Sequence, residues 1–174
     1  MNIELLRLAI DYDPQTGRMT WKERNPEQWP DARTAKIFNL QFAGKPVGVV
    51  AKNGYVLVSF LGKRFYAHRV AWAITHGEQP ESCIDHANGI RTDNRLANLR
   101  VATESQNRHN TGIRSVNTSG HKNVSWSKSL KRWSVEIRSN GKRHFIGYFL
   151  SKSEAAMAAK NARKKLHGEF ARHA

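Results

Sequence analysis

Sulfur chemistry is almost missing from this chain, which has Cys83 as its one cysteine. A disulfide framework within one chain and a cysteine-rich zinc site are both excluded, and a reducing compartment, the cytoplasm, is expected. No apolar run reaches the roughly 18 residues of a membrane-spanning helix, and Met1-Asn2-Ile3-Glu4 has no basic start for a secretory leader. No membrane partner is expected. Acidic side chains are scarce as well: 14 Asp and Glu face 29 Lys and Arg, a net charge of +15. That imbalance points to a polyanion, nucleic acid or an anionic surface. Apolar residues make up 39% of 174, enough for one medium domain or two small ones with modest cores.

The charge is uneven. Residues 1–80 carry 11 basic and 7 acidic side chains, residues 81–110 carry 4 of each, and residues 111–174 carry 14 and 3. The middle is neutral and the last third is strongly cationic. This implies division of labour, with chemistry in one part and grip on a polyanion in another.

Along the chain, Ile3, Leu5, Leu6, Leu8 and Ile10 predict a short helix over residues 3–10. Asp13-Pro14-Gln15-Thr16-Gly17 is turn chemistry, and Met19-Thr20-Trp21 a short strand. Residues 24–46 hold three of the five prolines and read as irregular. Tyr55–Phe60 and Phe65–Ala67 flank Leu61-Gly62-Lys63-Arg64 as a hairpin. Trp21, Trp29 and the Tyr55–Phe60 strand are expected in the core. Residues 67–76 have helical periodicity, with Gly77 as the stop and Pro80 beyond. Leu99–Ala102 reads as a short strand. Thr103-Glu104-Ser105-Gln106 is a capping box opening a helix that carries Asn107. Residues 111–120 have linker composition.

The chemistry concentrates in the run Ile84-Asp85-His86-Ala87-Asn88-Gly89, with Asn98 twelve residues after His86 and Asn107 nine further on. A carboxylate beside an imidazole, with carboxamides nearby, suits one hard divalent cation and one activated water. Oxygen donors from Asp85 and Asn107 match Mg²⁺ or Mn²⁺. Strand alternation would send Asp85 and His86 to opposite faces, unless the strand ends there, as Asn88-Gly89 indicates. Taken alone, Asp-His-x-Asn-Gly is also an ordinary polar turn. Cys83 is expected to be buried.

Residues 84–107 resemble the HNH endonuclease family, in its phage and intron-encoded homing branch. The matching positions are Asp85-His86, Asn88-Gly89, Asp93-Asn94, Asn98-Leu99-Arg100, Thr103 and Asn107. The resemblance implies a ββα-metal finger over residues 83–110. It implies metal binding by Asp85 and Asn107, with His86 as general base. Asn98 would be a catalytic-site scaffold tying the loop together. His68-Arg69 resembles a recurrent dipeptide before the finger. His68 is better read as a packing residue than as a ligand, and His109 is the alternative should Asn107 not ligate.

After Gly120 the period changes to two. Trp133, Val135 and Ile137 alternate with Ser134, Glu136 and Arg138, Asn140-Gly141 marks a hairpin, and His144–Phe149 makes a third strand. Ser151-Lys152-Ser153-Glu154 opens a helix with Ala155, Ala158, Ala159, Ala162 and Leu166 on one face and Gly168 at its end. The polar sheet face, joined by Lys122, Lys128, Lys131, Arg132, Lys142 and Arg143, suits the DNA major groove. Residues 120–171 resemble an AP2 DNA-binding domain through His121–Trp126, the Trp133–Arg138 strand, Gly147-Tyr148-Phe149 and Glu154-Ala155-Ala156. This implies DNA contacts from Lys122, Ser125, Glu136, Arg138, Arg143 and Phe145, to which the charge pattern adds Lys128 and Arg132. Ser125 stands where that family commonly has Arg, and Phe145 where it has Trp, which points to more reliance on phosphates.

The expected architecture is α+β. A nuclease domain with its N-terminal lead-in spans 1–110, a linker 111–120, and an AP2-like sheet plus helix 121–174. The expected function is a metal-dependent, homing-type endonuclease that nicks double-stranded DNA as a monomer or weak dimer, in the host cytoplasm if phage-encoded. The competing expectation is a sequence-specific DNA-binding regulator whose finger is only a scaffold. RNA binding is disfavoured because a β-ribbon cannot enter the narrow major groove of duplex RNA.

Overall fold

The computed structural model describes residues 1–28 and 31–173, so Trp29 lies outside the described residues. The chain divides into two units, Met1–Val101 and Ala102–Ala174. Both mix helices with small sheets.

In the first unit, α1 (Ile3–Ala9) starts at Asn2, whose side chain accepts from the Leu5 N–H. It buries Leu6 and Ala9. The chain then passes directly into β1 (Ile10–Tyr12), antiparallel to β2 (Met19–Trp21). Ile10 was expected to end the helix, and β1 was not expected, because three residues are too few for a period-two signal. The turn between them closes through Asp13, which accepts from the Gln15 N–H at 2.9 Å and, on its main-chain oxygen, from the Gly17 N–H at 2.8 Å.

Residues 24–46 are not irregular throughout, because α2 occupies Ala32–Phe42. Asp31 caps it, accepting from the N–H groups of Arg33 and Thr34. Asn39 fastens it by bonding both main-chain groups of Arg24. The prolines bracket the helix instead of entering it.

A three-stranded sheet follows, with β3 (Val49–Val50), β4 (Val56–Phe60) and β5 (Lys63–Tyr66) in the order β3-β4-β5. β5 runs into α3 (Ala67–His76), which ends at Gly77 as the pattern predicts. α3 buries Ala67, Val70 and Ala71 in a core with Leu6, Ile10, Val58, Phe60, Ile84 and Leu99. Trp21 packs against this core and stacks on Phe60. Burying each large aliphatic side chain contributes about 1.5–3 kcal/mol. Ile84 and Leu99 matter most for function, because they belong to the paired strands β6 (Cys83–His86) and β7 (Leu99–Ala102). The core thus anchors the residues on either side of Asp85 and Asn98. Cys83, expected to be buried, is only half-buried.

The second unit opens with α4 (Glu104–His109), whose capping box is formed: Thr103 Oγ1 accepts from the Gln106 N–H, and Gln106 Oε1 from the Thr103 N–H. Its sheet has β8 (Val124–Ser127), β9 (Arg132–Ser139) and β10 (Lys142–Phe149) in antiparallel order β10-β9-β8. Asn140 and Gly141 both take positive φ, 49° and 76°, the turn that suits right-handed strand twist. Helix α5 (Lys152–His167) covers one sheet face, with Val124, Val135, Ala155 and Ala159 as the core. Residues 111–120 carry their own turn: Asn117 accepts from the Gly120 N–H and donates to the His121 carbonyl.

One correction concerns α5. Its fully buried positions are Ala155, Ala159, Arg163 and His167, while Ala158, Ala162 and Leu166 are half-buried. Arg163 donates to the Lys122 carbonyl, and His167 Nε2 lies 3.0 Å from the Arg138 carbonyl. Polar groups go inside where main-chain acceptors meet them.

Gly17 has φ +74°, and a Cβ there would stand 2.5 Å from the Arg95 nitrogen and 2.6 Å from the Asn94 carbonyl carbon. Gly17→Ala should destabilise the first unit by about 1–3 kcal/mol. Urea unfolding followed by tryptophan fluorescence checks this; an unchanged midpoint would mean the 94–95 backbone yields freely.

Candidate active site and nucleic-acid face

β6 ends at His86 because the chain turns at once. The Gly89 N–H donates to the His86 carbonyl and the Ala87 N–H to the Asn98 carbonyl, both at 2.8 Å. Asp85 and His86 are 5% and 4% exposed. Their partners differ. Arg100, on the neighbouring strand, donates to Asp85 Oδ2 from Nε at 3.0 Å and Nη2 at 2.9 Å. His86 Nε2 lies 3.3 Å from Asn94 Oδ1. The His68 ring meets the His86 ring edge-on at 4.9 Å, and the Tyr55 ring lies 5.9 Å away. The sequence motif contains Asn94 and Arg100 but assigns neither a role, and the Tyr55–Phe60 pattern places Tyr55 only in the core.

Within the loop from 87 to 97, Asn98 bonds the main chain at two points. Asn98 Oδ1 accepts from the Asn88 N–H at 2.9 Å, and its Nδ2 donates to the Asp93 carbonyl at 2.8 Å. Asp93 is in turn gripped by Arg95 at 2.6 Å and Asn88 at 2.7 Å. The hydrogen bonds from Arg95 hold the Asp93 carboxyl well below the usual carboxylate range.

Burial pushes His86 below the ordinary imidazole range, while Asn94 and the charges of Asp85 and Asp93 push it back up. Burial drives His68 down to about 3. Both rings are therefore neutral at pH 7, the form in which an imidazole accepts a proton. Among the described residues no group of three or more His, Cys, Asp or Glu could hold a metal. A carboxylate such as Asp85 is the kind of donor a hard cation takes beside water and phosphate, and here its Oδ2 also accepts from the Arg100 guanidinium.

His68 behaves as a packing residue, 6% exposed and in ring contact with Tyr55, Tyr66 and His86. Its neighbour Arg69 bonds the carbonyls of Pro80 and Ser82, which fastens the chain just before β6. Asn107 lies in the second unit, half-buried on α4, with its N–H on the Thr103 carbonyl. His109, in the same unit, stacks its ring on His167 at 3.7 Å.

On the uncovered face of the second unit's sheet, Ser125, Arg132, Glu136, Arg138, Arg143 and Phe145 are exposed, as is Lys128 in the β8–β9 connection. Arg138 and Arg143 are direct cross-strand partners, and Arg143 also approaches Glu136 at 3.5 Å. Like charges directly opposite destabilise a sheet, and an exposed ion pair offsets little of that. Lys122 departs from expectation. Its ammonium donates to the carbonyls of His109 and Thr111, and burial lowers its pKa to about 8. It fastens the 109–111 backbone instead of extending from the sheet.

Comparison with known proteins picks out the same stretch of chain. The family model described as HNH endonuclease matches residues 65–109, which span β5 through α4. Protein 3.8 of Escherichia phage T7 is 35% identical over 117 residues, covering 63% of this chain and 94% of that protein. No solved structure matches.

A pH test follows from His68. Its pKa falls from about 6.5 unfolded to about 3 folded, so above pH 6.5 it contributes no pH dependence. Below 6.5 the unfolded chain takes a proton that the fold refuses, and stability drops by up to about 1.4 kcal/mol per pH unit. In urea titrations between pH 7 and pH 4.5, His68→Phe should show a shallower loss than the parent protein. Identical slopes would rule out His68 as the source.

Proposed function

Because the chain belongs to the family of phage T7 Protein 3.8 and carries an HNH endonuclease domain at residues 65–109, we propose that it is a metal-dependent DNA endonuclease of homing type that nicks duplex DNA. The observation that supports this most is the buried Asp85-His86 pair at the end of β6, with Asp85 on Arg100 and a neutral His86 on Asn94.

In this reading His86 takes a proton from water. Asp85 contributes a hard oxygen to a divalent ion, Mg²⁺ or Mn²⁺. When bound, that ion polarises the scissile phosphate and steadies the leaving oxygen. Asn98 keeps the loop closed so that His86 and Asp93 stay placed. The ligand role of Asn107 rests on the sequence resemblance alone, and Asn107→Ala tests it. One catalytic pair per chain accounts for a nick, with the protein acting as a monomer or weak dimer, in the host cytoplasm if it is phage-encoded.

The second unit, with 15 basic and 4 acidic residues over 102–174, is the part we assign to holding duplex DNA in an AP2-like manner. Ser125, Lys128, Arg132, Glu136, Arg138, Arg143 and Phe145 form that face, and Lys122 is removed from it.

Relaxation of supercoiled plasmid tests the chemistry. The protein should convert plasmid to the nicked form with Mg²⁺ or Mn²⁺ and stop in EDTA, and His86→Ala should cut about 10²–10⁴-fold more slowly. Asp85→Ala should fall similarly. Wild-type rates in both variants would sink the mechanism. Tight EDTA-insensitive binding with no cleavage under any divalent ion would instead favour a DNA-binding regulator.

Salt titrations of DNA affinity test the sheet face. Arg138→Ala and Arg143→Ala should each reduce the log–log slope by about 0.9 if they sit on phosphates. Unchanged slopes would place the DNA elsewhere.

A further inference from the structure

The N-terminal segment carries no chemical motif in its sequence, yet it reaches the residue beside the proposed base. We propose that Asn94 is a positioning residue that keeps the His86 ring with its proton on Nε2 and its lone pair on Nδ1, and that the Tyr12–Gly17 turn is the strap holding Asn94 in place. This rests on the nuclease reading above.

Asn94 Nδ2 is turned to the Thr92 carbonyl at 3.4 Å, which leaves Oδ1 facing His86 Nε2 at 3.3 Å. A carboxamide oxygen only accepts, so the hydrogen on this contact belongs to Nε2. A neutral imidazole carries one ring hydrogen, and its other nitrogen, Nδ1, then has the lone pair. Only a nitrogen with a lone pair can take a proton from water. Asn94 therefore decides which ring atom acts as base.

Asn94 is 5% exposed and does not hold itself. The Tyr12 hydroxyl donates to the Asn94 carbonyl at 2.8 Å. The Leu96 N–H donates to the Pro14 carbonyl at 2.9 Å, so the turn grips the loop on both sides of Arg95. Gly17 permits the approach, since any side chain there would strike the Asn94–Arg95 backbone. Tyr12 is itself fixed in the β1–β2 pair opposite buried Met19. Burial raises the Tyr12 phenol to about 12, so it remains a donor throughout any practical assay range. The lead-in thus acts as a brace whose far end is the tautomer of His86.

The full chain labelled with ¹⁵N-histidine provides a readout independent of cleavage. An exchange-protected ring proton on Nε2 should appear for His86, assigned by its loss in His86→Gln. Asn94→Leu should abolish the protection, and Asn94→Asp, which retains an acceptor oxygen, should keep it. In cleavage assays Asn94→Leu should lower kcat about 10- to 100-fold with KM nearly unchanged, the range seen when a partner orienting a functional histidine is lost. Asn94→Asp should recover part of that rate. Should Asn94→Leu fail to fold, Tyr12→Phe decides: it should speed exchange of the His86 ring proton and lower kcat several-fold.

A ring proton found on Nδ1, or Asn94→Leu and Tyr12→Phe variants with unaltered exchange and kcat, would overturn the proposal. Absence of cleavage by the parent protein with every divalent ion would instead overturn the nuclease reading, while the ring-proton signal still decides the Asn94 assignment.

Discussion

The Asn98 carboxamide spans its loop, taking the Asn88 N–H on one side and giving a hydrogen to the Asp93 carbonyl on the other. The 87–97 segment has little apolar surface to bury, so hydrogen bonds must close it. Other contacts of the loop gather around that closure, and Tyr12 and Pro14 brace it from the N-terminal turn. Asp93 is then placed to accept from Asn88 and Arg95, and Asn94 is delivered beneath His86. A buried amide left without partners costs about 1–3 kcal/mol, so a replacement that cannot bond at both ends loosens every one of these contacts together. The strands on either side cannot compensate, because Ile84 and Leu99 fasten only the ends of the segment to the core.

The two ends of the molecule's chemistry have opposite electrostatic needs. A base that takes a proton near neutral pH must be uncharged, and burial beside Tyr55 and His68 keeps His86 in that form against the upward pull of Asn94. A surface that grips a polyanion must be charged and exposed, and the second unit places Arg138 opposite Arg143 on an open sheet face. These demands conflict within one patch. The neutral 81–110 stretch and the cationic remainder separate them along the chain. Cations that are not on that face have other uses: Arg69 and Lys122 bond main-chain carbonyls, and Arg100 bonds Asp85.

Several local features were legible in the sequence because their causes lie within a few residues. The Thr103 capping box, the Asn140-Gly141 turn, the alternation of Trp133–Arg138 and the Gly77 stop all formed as read. Failures arose where the signal was short or masked. β1 is three residues long, and α2 hid between prolines whose number outweighed the capping role of Asp31. The small-residue face of α5 was correct at Ala155 and Ala159, but Arg163 and His167 continue it inside. No local pattern predicts that, since their burial depends on carbonyls 41 and 29 residues away.

The same distinction separates the two halves of the candidate site. By itself the sequence determined the chemical inventory: the adjacent carboxylate and imidazole of Asp85-His86 and several carboxamides in a neutral stretch of a basic chain. Residue type alone sets what a group can donate, accept or ligate. Only the tertiary structure decided which of these groups meet. Arg100 joins Asp85, Asn94 joins His86, and Tyr12 reaches Asn94 across 82 residues. Hydrogen bonds act over about 3 Å. Separations along the chain carry no information at that scale until strands, turns and a shared core have brought the partners together.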